Sequence, residues 1–245
     1  MKKNGFTLAE ILVALAVVGI IAAITIPTLS TESMKKVWAN SLSSAVSDFE
    51  NAMTTYLMTE REDSLIDTKA WLSGNGGYID DIGNTKAVGK HFKLEKISNK
   101  PTDFYNDKAN TYLKHLNPKI TTSVVTQARI SGPAYKAKSG VVYFVHQDYD
   151  KTAKITLTKG GKLEQKAGIV GIDVNGVKGP NRVGRDVFVY MLGADGYLFP
   201  FGSKDVNVYS GIDEVNENNC STSVTGTVGE HCAARLARNG YKMDY

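Results

Sequence analysis

The chain opens with its longest apolar stretch, which predicts a helix able to cross a membrane. The segment Phe6–Leu29 carries a single charged side chain, Glu10. Its uncharged part, Ile11–Leu29, spans about 28 Å as an α-helix, and this length covers the hydrocarbon core of a bilayer. We therefore predict a membrane-spanning helix over residues 6–29, preceded by the short segment 1–5.

The helical pattern continues beyond the apolar stretch, but only one face stays apolar. Hydrophobic residues recur at steps of three and four, which is typical of a helix that buries one face against a core. This pattern predicts an amphipathic second half over residues 30–58, continuous with the first. The predicted buried positions are Met34, Trp38, Leu42, Ala45, Phe49, Met53 and Tyr56 or Leu57.

Residues 59–245 predict one folded head that is rich in strands. Weak helical patterns precede the strands, at Asp63–Leu72, Thr85–Ile97 and Tyr105–Leu116. Alternating or continuous apolar runs separated by glycine-rich turns then predict strands at Thr122–Ile130, Val141–His146, Ala153–Thr158, Gly168–Val174, Asp186–Leu192 and Tyr197–Phe201. We infer an α+β fold, in which the amphipathic half of the long helix packs on an antiparallel β-sheet.

Composition excludes several classes of protein. Apolar residues make up 42% and charged residues 22% of the 245 residues, which supports a packed core and excludes wholesale disorder. The net charge of +4 is spread along the chain and does not by itself indicate a nucleic-acid partner. The 2 cysteines exclude a disulfide-dense scaffold and a four-cysteine zinc site.

No enzyme signature is present in the sequence. It contains no nucleophile elbow, no His-Glu-x-x-His zinc motif and no Walker A loop, and its 4 histidines lack the spacing of metal ligands. The sequence therefore predicts a protein that is not an enzyme.

The extreme N-terminus carries a specific motif. Lys2 and Lys3 precede the sequence Gly5–Glu10 (GFTLAE), and the apolar run that follows contains Pro27. This arrangement resembles the N-terminus of type IV prepilins and type II secretion pseudopilins. The resemblance covers about the first 30 residues and implies a pilin-like fold, with a long N-terminal helix on a β-sheet head.

The resemblance also implies how the chain is processed and where it resides. A prepilin peptidase is expected to cut between Gly5 and Phe6, removing residues 1–5 and methylating the new amino group of Phe6. The mature protein would then sit in the inner membrane as a single-pass protein, with its head outside the cytoplasm. From there it would assemble with other pilin or pseudopilin subunits into a pilus or a periplasmic pseudopilus.

Two residues of the apolar segment are assigned to assembly. An unpaired carboxylate drawn towards the centre of a bilayer costs up to about 3 kcal/mol, so Glu10 needs a partner or must reach the interface. The resemblance implies that Glu10 pairs with the new amine of Phe6 on a neighbouring subunit. Pro27 corresponds to the proline of the family helix and is free to kink it.

Cys220 and Cys232 lie near the C-terminus. Pilins similarly close a C-terminal loop with a disulfide, and a head outside the cytoplasm lies in an oxidising compartment. The resemblance thus implies a Cys220–Cys232 disulfide. Two free thiols, or a catalytic pair of Cys232 with His231, are the less favoured alternatives.

The polar segment Gly171–Asp186 is a candidate calcium loop. Asp173, Asn175 and Asp186 can provide the oxygen ligands that calcium prefers, although the EF-hand pattern is incomplete. The favoured alternative is an Asn-Gly turn followed by a glycine-rich connection between two strands. No other cofactor is indicated.

A second class of function is a membrane-anchored binding module, such as a minor pilin head that binds DNA. Lysines interleaved with tyrosines could form a basic, aromatic face for nucleic acid. The favoured alternative is a set of solvated lysines along an exposed sheet edge. The residues concerned are Lys136, Lys138, Lys151, Lys154, Lys159, Lys162, Lys166, Tyr135, Tyr143 and Tyr149.

Overall fold

A computed structural model of the chain divides it into two compact units, Met1–Val37 and Trp38–Tyr245. The residues that the structure describes are 7–68, 92–98, 113–114, 116, 133–147, 156–159, 162–164, 166–176, 178–179, 181–203, 206–207, 220 and 229–245. Among the described residues, the first unit contributes helix and the second combines helix with sheet, so the fold is α+β as predicted.

Helix α1 runs from Leu8 to Glu60 and contains 53 residues. Its bounds lie within two residues of the predicted helix. In the second unit the predicted positions from Leu42 to Leu57 are buried in the core, and Ala39, Val46 and Ala52 join them, whereas Trp38 is only half-buried. Met34 lies outside the core, since it is 42% exposed. It lies N-terminal to Trp38, where the second unit begins, and the burial of α1 starts only at Ala39.

The head is built on a six-stranded antiparallel sheet of order β1-β2-β3-β6-β7-β8, and a second sheet has the order β5-β4-β9. A 3-10 turn, Leu65–Asp67, follows α1, and a short helix α2, Cys232–Arg238, lies near the C-terminus. The strands are β1 Glu95–Ser98, β2 Ala134–Lys136, β3 Val142–Gln147, β4 Thr156–Lys159, β5 Lys162–Glu164, β6 Lys166–Asp173, β7 Val187–Gly193, β8 Leu198–Pro200 and β9 Val206–Asn207.

Five of the predicted strands occur in the structure as β3, β4, β6, β7 and β8, with shifted ends. The sixth, Thr122–Ile130, lies outside the described residues. Strands β1, β2, β5 and β9 and helix α2 were not predicted, because strands of two to four residues and a seven-residue helix are too short to show a clear period.

The weak helical predictions fail over most of the residues that the structure describes, although Phe92, inside the predicted helix Thr85–Ile97, is helical. The end of the predicted helix Thr85–Ile97 is strand β1, in which Glu95 pairs with Lys136 of β2. In the predicted helix Tyr105–Leu116, Lys114 forms a parallel bridge with Arg182 instead. Asp63–Leu72 contributes only the 3-10 turn among its described residues. In the first two cases, pairing with distant strands outweighs a marginal local preference.

Both faces of the central sheet are covered. Tyr143 and Val145 of β3 belong to the core cluster that contains the α1 stripe, whereas Phe144 belongs to a second cluster on the opposite face. Because both faces of the sheet are covered, all seven residues of β7 are buried. The Tyr143 hydroxyl donates a hydrogen bond of 3.0 Å to the Ala45 carbonyl of α1, which joins helix and sheet inside the core. Burial raises the pKa of Tyr143 well above its ordinary value.

The edge strand β8 is protected from pairing with other chains. The backbone N–H of Leu198 donates to Glu50 Oε1 of α1 at 2.9 Å. Pro200, at the end of the same strand, has no N–H to offer. Capping by a charged side chain and an edge proline are two recognised ways of blocking edge-to-edge aggregation.

Candidate processing and assembly site

Helix α1 begins with a reciprocal set of hydrogen bonds between Thr7 and Glu10. The Thr7 backbone N–H and hydroxyl donate to Glu10 Oε2 at 2.7 and 2.8 Å, and the Glu10 N–H donates to Thr7 Oγ1 at 3.3 Å. This is a capping box, which satisfies N–H groups that have no partner within the helix. Sequence reasoning assigned Glu10 to assembly and missed this capping box, although the Thr-x-x-Glu spacing is the signature of the motif.

The capping box places the carboxylate of Glu10 at the N-terminal end of α1. The positive end of the helix dipole favours a negative charge there. Both bonds from Thr7 go to Oε2, and Oε1 accepts none from the residues that the structure describes. Gly5 and Phe6, the predicted processing residues, lie outside those residues.

The first turns of α1 form an exposed apolar surface. The 18-residue window Leu8–Thr25 is long and apolar enough to cross a membrane, and 0% of it is buried. The one polar side chain at its end is satisfied internally, because the Thr25 hydroxyl donates to the Ile21 carbonyl at 2.9 Å. An apolar helix of this length, charged only at its N-terminal end, requires cover by lipid or by other apolar helices.

Pro27 lies inside α1, as the sequence predicted, and the backbone remains helical on both sides of it. Its nitrogen carries no hydrogen, so the carbonyl of Ala23 has no N–H partner four residues on. The helix therefore lacks one backbone hydrogen bond at position 27, just beyond the exposed apolar window.

The cysteines of the head form the disulfide Cys220–Cys232, with their Cα atoms 4.9 Å apart. Neither cysteine is free, so the alternatives of two thiols or a Cys232–His231 catalytic pair are wrong. Arg235 holds both ends of the C-terminal segment together. It donates to the Cys220 carbonyl at 3.0 Å and forms an ion pair with Asp244 at 2.9 Å.

The disulfide packs on the turn that precedes β7, and two glycines allow this close approach. A Cβ at Gly184 would lie 2.7 Å from Cys232 Sγ, and a Cβ at Gly229 would fall on the Val183 carbonyl. The C-terminal residue closes the same region, since the Tyr245 hydroxyl donates to the Gly184 carbonyl at 2.7 Å. The disulfide, the turn and the C-terminus therefore form one packed unit.

The candidate calcium residues lie at adjoining positions, and their oxygens accept hydrogen bonds from the protein. Asp173 Oδ1 accepts from the N–H groups of Asn175 and Gly176 at 3.0 and 2.8 Å, which is the hydrogen bonding of an Asx turn. Asp186 Oδ2 accepts from Arg185 at 2.6 Å and from the Asn175 amide at 3.1 Å. Burial raises the pKa of Asp186, and the Arg185 guanidinium opposes this shift.

These contacts favour the turn over the metal site. An arginine already occupies the position of a cation at Asp186, and a calcium ion would have to displace it. Among the residues that the structure describes, no group of three or more His, Cys, Asp or Glu side chains is arranged to hold a metal ion.

We accordingly expect calcium chelation to leave the head unchanged. Excess EGTA should shift the melting temperature of the purified protein by less than about 1 °C, measured by circular dichroism. If Asp173 and Asp186 do hold calcium, chelation will lower the melting temperature and added calcium will restore it. That result would show that calcium stabilises the head and would contradict this prediction.

The less favoured alternative of a basic, aromatic face loses two of its three tyrosines. Tyr135 and Tyr143 are both buried in the core and cannot stack on bases. Tyr149, Lys151 and Lys154 lie outside the described residues. Lys136 and Lys138 are exposed, as the alternative of solvated lysines requires.

Comparison with known protein families identifies the N-terminal segment. Residues 1–26 match the family described as the prokaryotic N-terminal methylation motif. No curated protein and no solved structure matched the chain. The match supports a pilin-like precursor protein, and the exposed apolar helix and the α+β head are consistent with it.

The motif supports assignment of the chain to the type IV pilin and pseudopilin family. It implies processing by a prepilin peptidase, anchoring in a membrane through the N-terminus and assembly with other pilin subunits. Proteins with this motif are generally structural subunits rather than enzymes.

Proposed function

We propose that this protein is a structural subunit of a type IV pilus or a type II secretion pseudopilus. It is synthesised with the leader 1–5, cut between Gly5 and Phe6, and methylated on the amino group of Phe6. The first half of α1 holds it in the inner membrane with the head, residues 59–245, outside the cytoplasm. The same half of α1 later becomes part of the filament core.

The observation that carries the proposal is the exposed apolar window Leu8–Thr25, which lies within the segment that matches the methylation motif. In lipid this surface is covered by acyl chains, and in a filament it is covered by the equivalent helices of other subunits. The two environments are similarly apolar, so the transfer between them requires little loss of burial. A helix that is apolar all round suits both.

Glu10 supplies the polar contact within this apolar assembly. Cleavage before Phe6 leaves the amide of Thr7 intact, so the capping box survives and still holds the carboxylate through Oε2. Oε1 is then the oxygen that pairs with a cationic amine. Pairing with the Phe6 amine of a neighbouring subunit removes two desolvation penalties together and fixes the register between the helices.

Intact-mass spectrometry of the protein purified from its own membranes tests the processing step. We expect a mass that corresponds to the loss of Met1–Gly5 and the gain of one methyl group. Fragmentation should place the methyl group on Phe6. A chain that retains Met1, or begins well beyond Pro27, would contradict the proposal.

A further inference from the structure

An open groove lies on the head between α1 and the hairpin of β2 and β3. Its volume is about 400 Å³, within the range of small-molecule sites. One wall is the outer face of α1, and the opposite wall is the β2–β3 turn. The lining residues are Asp48, Asn51, Ala52, Thr55, Phe92, Lys93, Ala137, Lys138 and Ser139.

The apolar floor of the groove contains a rigid aromatic ring. Phe92 is half-buried, with edge-to-face contacts to Phe49 at 5.7 Å and to Tyr143 at 5.0 Å between ring centroids. Tyr143 is held in place by its hydrogen bond to the Ala45 carbonyl of α1. The Phe92 ring that packs against it is therefore already positioned in the absence of a ligand. A pre-positioned ring binds an apolar ligand face at little cost in side-chain entropy.

The rim of the groove carries charged side chains that have no ion-pair partner among the described residues. Asp48, Lys93 and Lys138 are exposed, and none forms an ion pair with any residue in the part of the chain that the structure describes. Lys93 is held at the groove by a left-handed backbone, with φ of 51°. Such strained residues persist where their surroundings impose them, and they cluster at functional sites.

The polar groups of the groove include both hydrogen-bond donors and acceptors, as binding of a polyhydroxylated ligand requires. The Asn51 amide both donates and accepts, Asp48 accepts, and the Ser139 hydroxyl does either. Two ammonium groups against one carboxylate leave an excess positive charge for an anionic group of the ligand. A pyranose ring with a carboxylate presents hydroxyls at its rim, an apolar C–H face and one negative charge.

We propose that this groove binds a short acidic saccharide of the uronic acid class. The sugar ring packs on Phe92, its hydroxyls bond to Asp48 and Asn51, and its carboxylate pairs with Lys93 and Lys138. The groove lies wholly in the second unit, so this binding goes beyond filament assembly and does not depend on it.

The test is a titration of the full chain, in a detergent without a sugar head group, with digalacturonic acid. Saturation-transfer NMR should show contact through the ring protons, with a dissociation constant of about 0.1–10 mM. The double substitution Lys93→Ala, Lys138→Ala should weaken binding about tenfold or more, and Asn51→Ala should weaken it as well. Cellobiose, which is neutral, should bind about tenfold more weakly than digalacturonic acid.

Matched substitutions outside the groove control for general charge and surface effects. Lys242→Ala and Asn40→Ala remove exposed side chains of the same types and should leave binding unchanged. All these substitutions are at exposed positions, so the melting temperature should stay within about 2 °C of the parent. Absence of binding at roughly 10 mM saccharide overturns the proposal. Equal binding of cellobiose, or equal competition by propionate, also overturns it, because the site would then not recognise an acidic sugar.

Discussion

Replacing Glu10 with glutamine should sharply reduce entry into filaments while leaving the amount of subunit in the membrane unchanged. Glutamine can occupy the third position of a capping box, so the start of α1 should persist. What disappears is the negative charge. The cationic amine of Phe6 on the neighbouring subunit would then lie unpaired in an apolar core, at a cost of several kcal/mol. We expect incorporation to fall by at least about tenfold, since 1.4 kcal/mol already corresponds to that factor.

The measurement compares the amount of subunit in sheared or purified filaments with the amount in membranes. Glu32→Gln is the matched control, because Glu32 lies on the same helix beyond the apolar window and its ion pair with Lys35 faces solvent. This variant should assemble normally. Normal assembly of Glu10→Gln would refute the pairing, and an equal defect in both variants would point to a general effect of charge on α1.

Replacing Gly229 with alanine should be the most destabilising Gly→Ala substitution among the glycines that the structure describes. Gly229 has φ of +90°, a region that L-residues avoid, and its Cβ would fall on the Val183 carbonyl. The clash is with backbone atoms of Val183, which no change of rotamer can move, and Leu116 Cβ would also lie only 3.1 Å away. The turn before β7 and the Cys220–Cys232 disulfide would have to separate. We expect a loss of at least about 3 kcal/mol in the free energy of unfolding.

Gly140 provides the control for this prediction. It has φ of +93°, but a Cβ there would meet no atom within 4 Å. The loss of stability in Gly140→Ala therefore measures the backbone strain alone, about 1–2 kcal/mol. The additional loss in Gly229→Ala measures the cost of the steric clash with Val183. Thermal melts should separate them by several degrees, at about 2–4 °C per kcal/mol for a chain of this size. Equal melting temperatures would mean that the disulfide does not pack on this turn as described.

Local patterns predicted the parts of the chain whose structure depends on near neighbours. The apolar run and its continuation as a stripe predicted α1 to within two residues, because a helix of 53 residues repeats its period many times. The same pattern identified the core positions from Leu42 to Leu57. It failed at Met34, because periodicity shows which face of a helix is apolar but not where along the helix the core begins.

Contacts between distant segments decided the rest. The stretch around Glu95 has a weak helical pattern, yet it is a strand because Lys136 and its neighbours supply hydrogen-bond partners. Tyr135 and Tyr143 looked like candidates for stacking on bases, whereas the sheet turns both into the core. Asp173, Asn175 and Asp186 were correctly grouped by sequence. Only the structure revealed that Arg185 and backbone N–H groups bind their oxygens.

The sequence by itself determined the motif around Gly5 and Glu10, the apolar helix and the α+β class, because each depends on residue type and short-range spacing. The tertiary structure alone decided how the C-terminal disulfide packs, which polar groups are satisfied and where a groove opens on the head. These features arise where segments far apart in the chain meet. Their geometry depends on strand pairing and packing that no local period records.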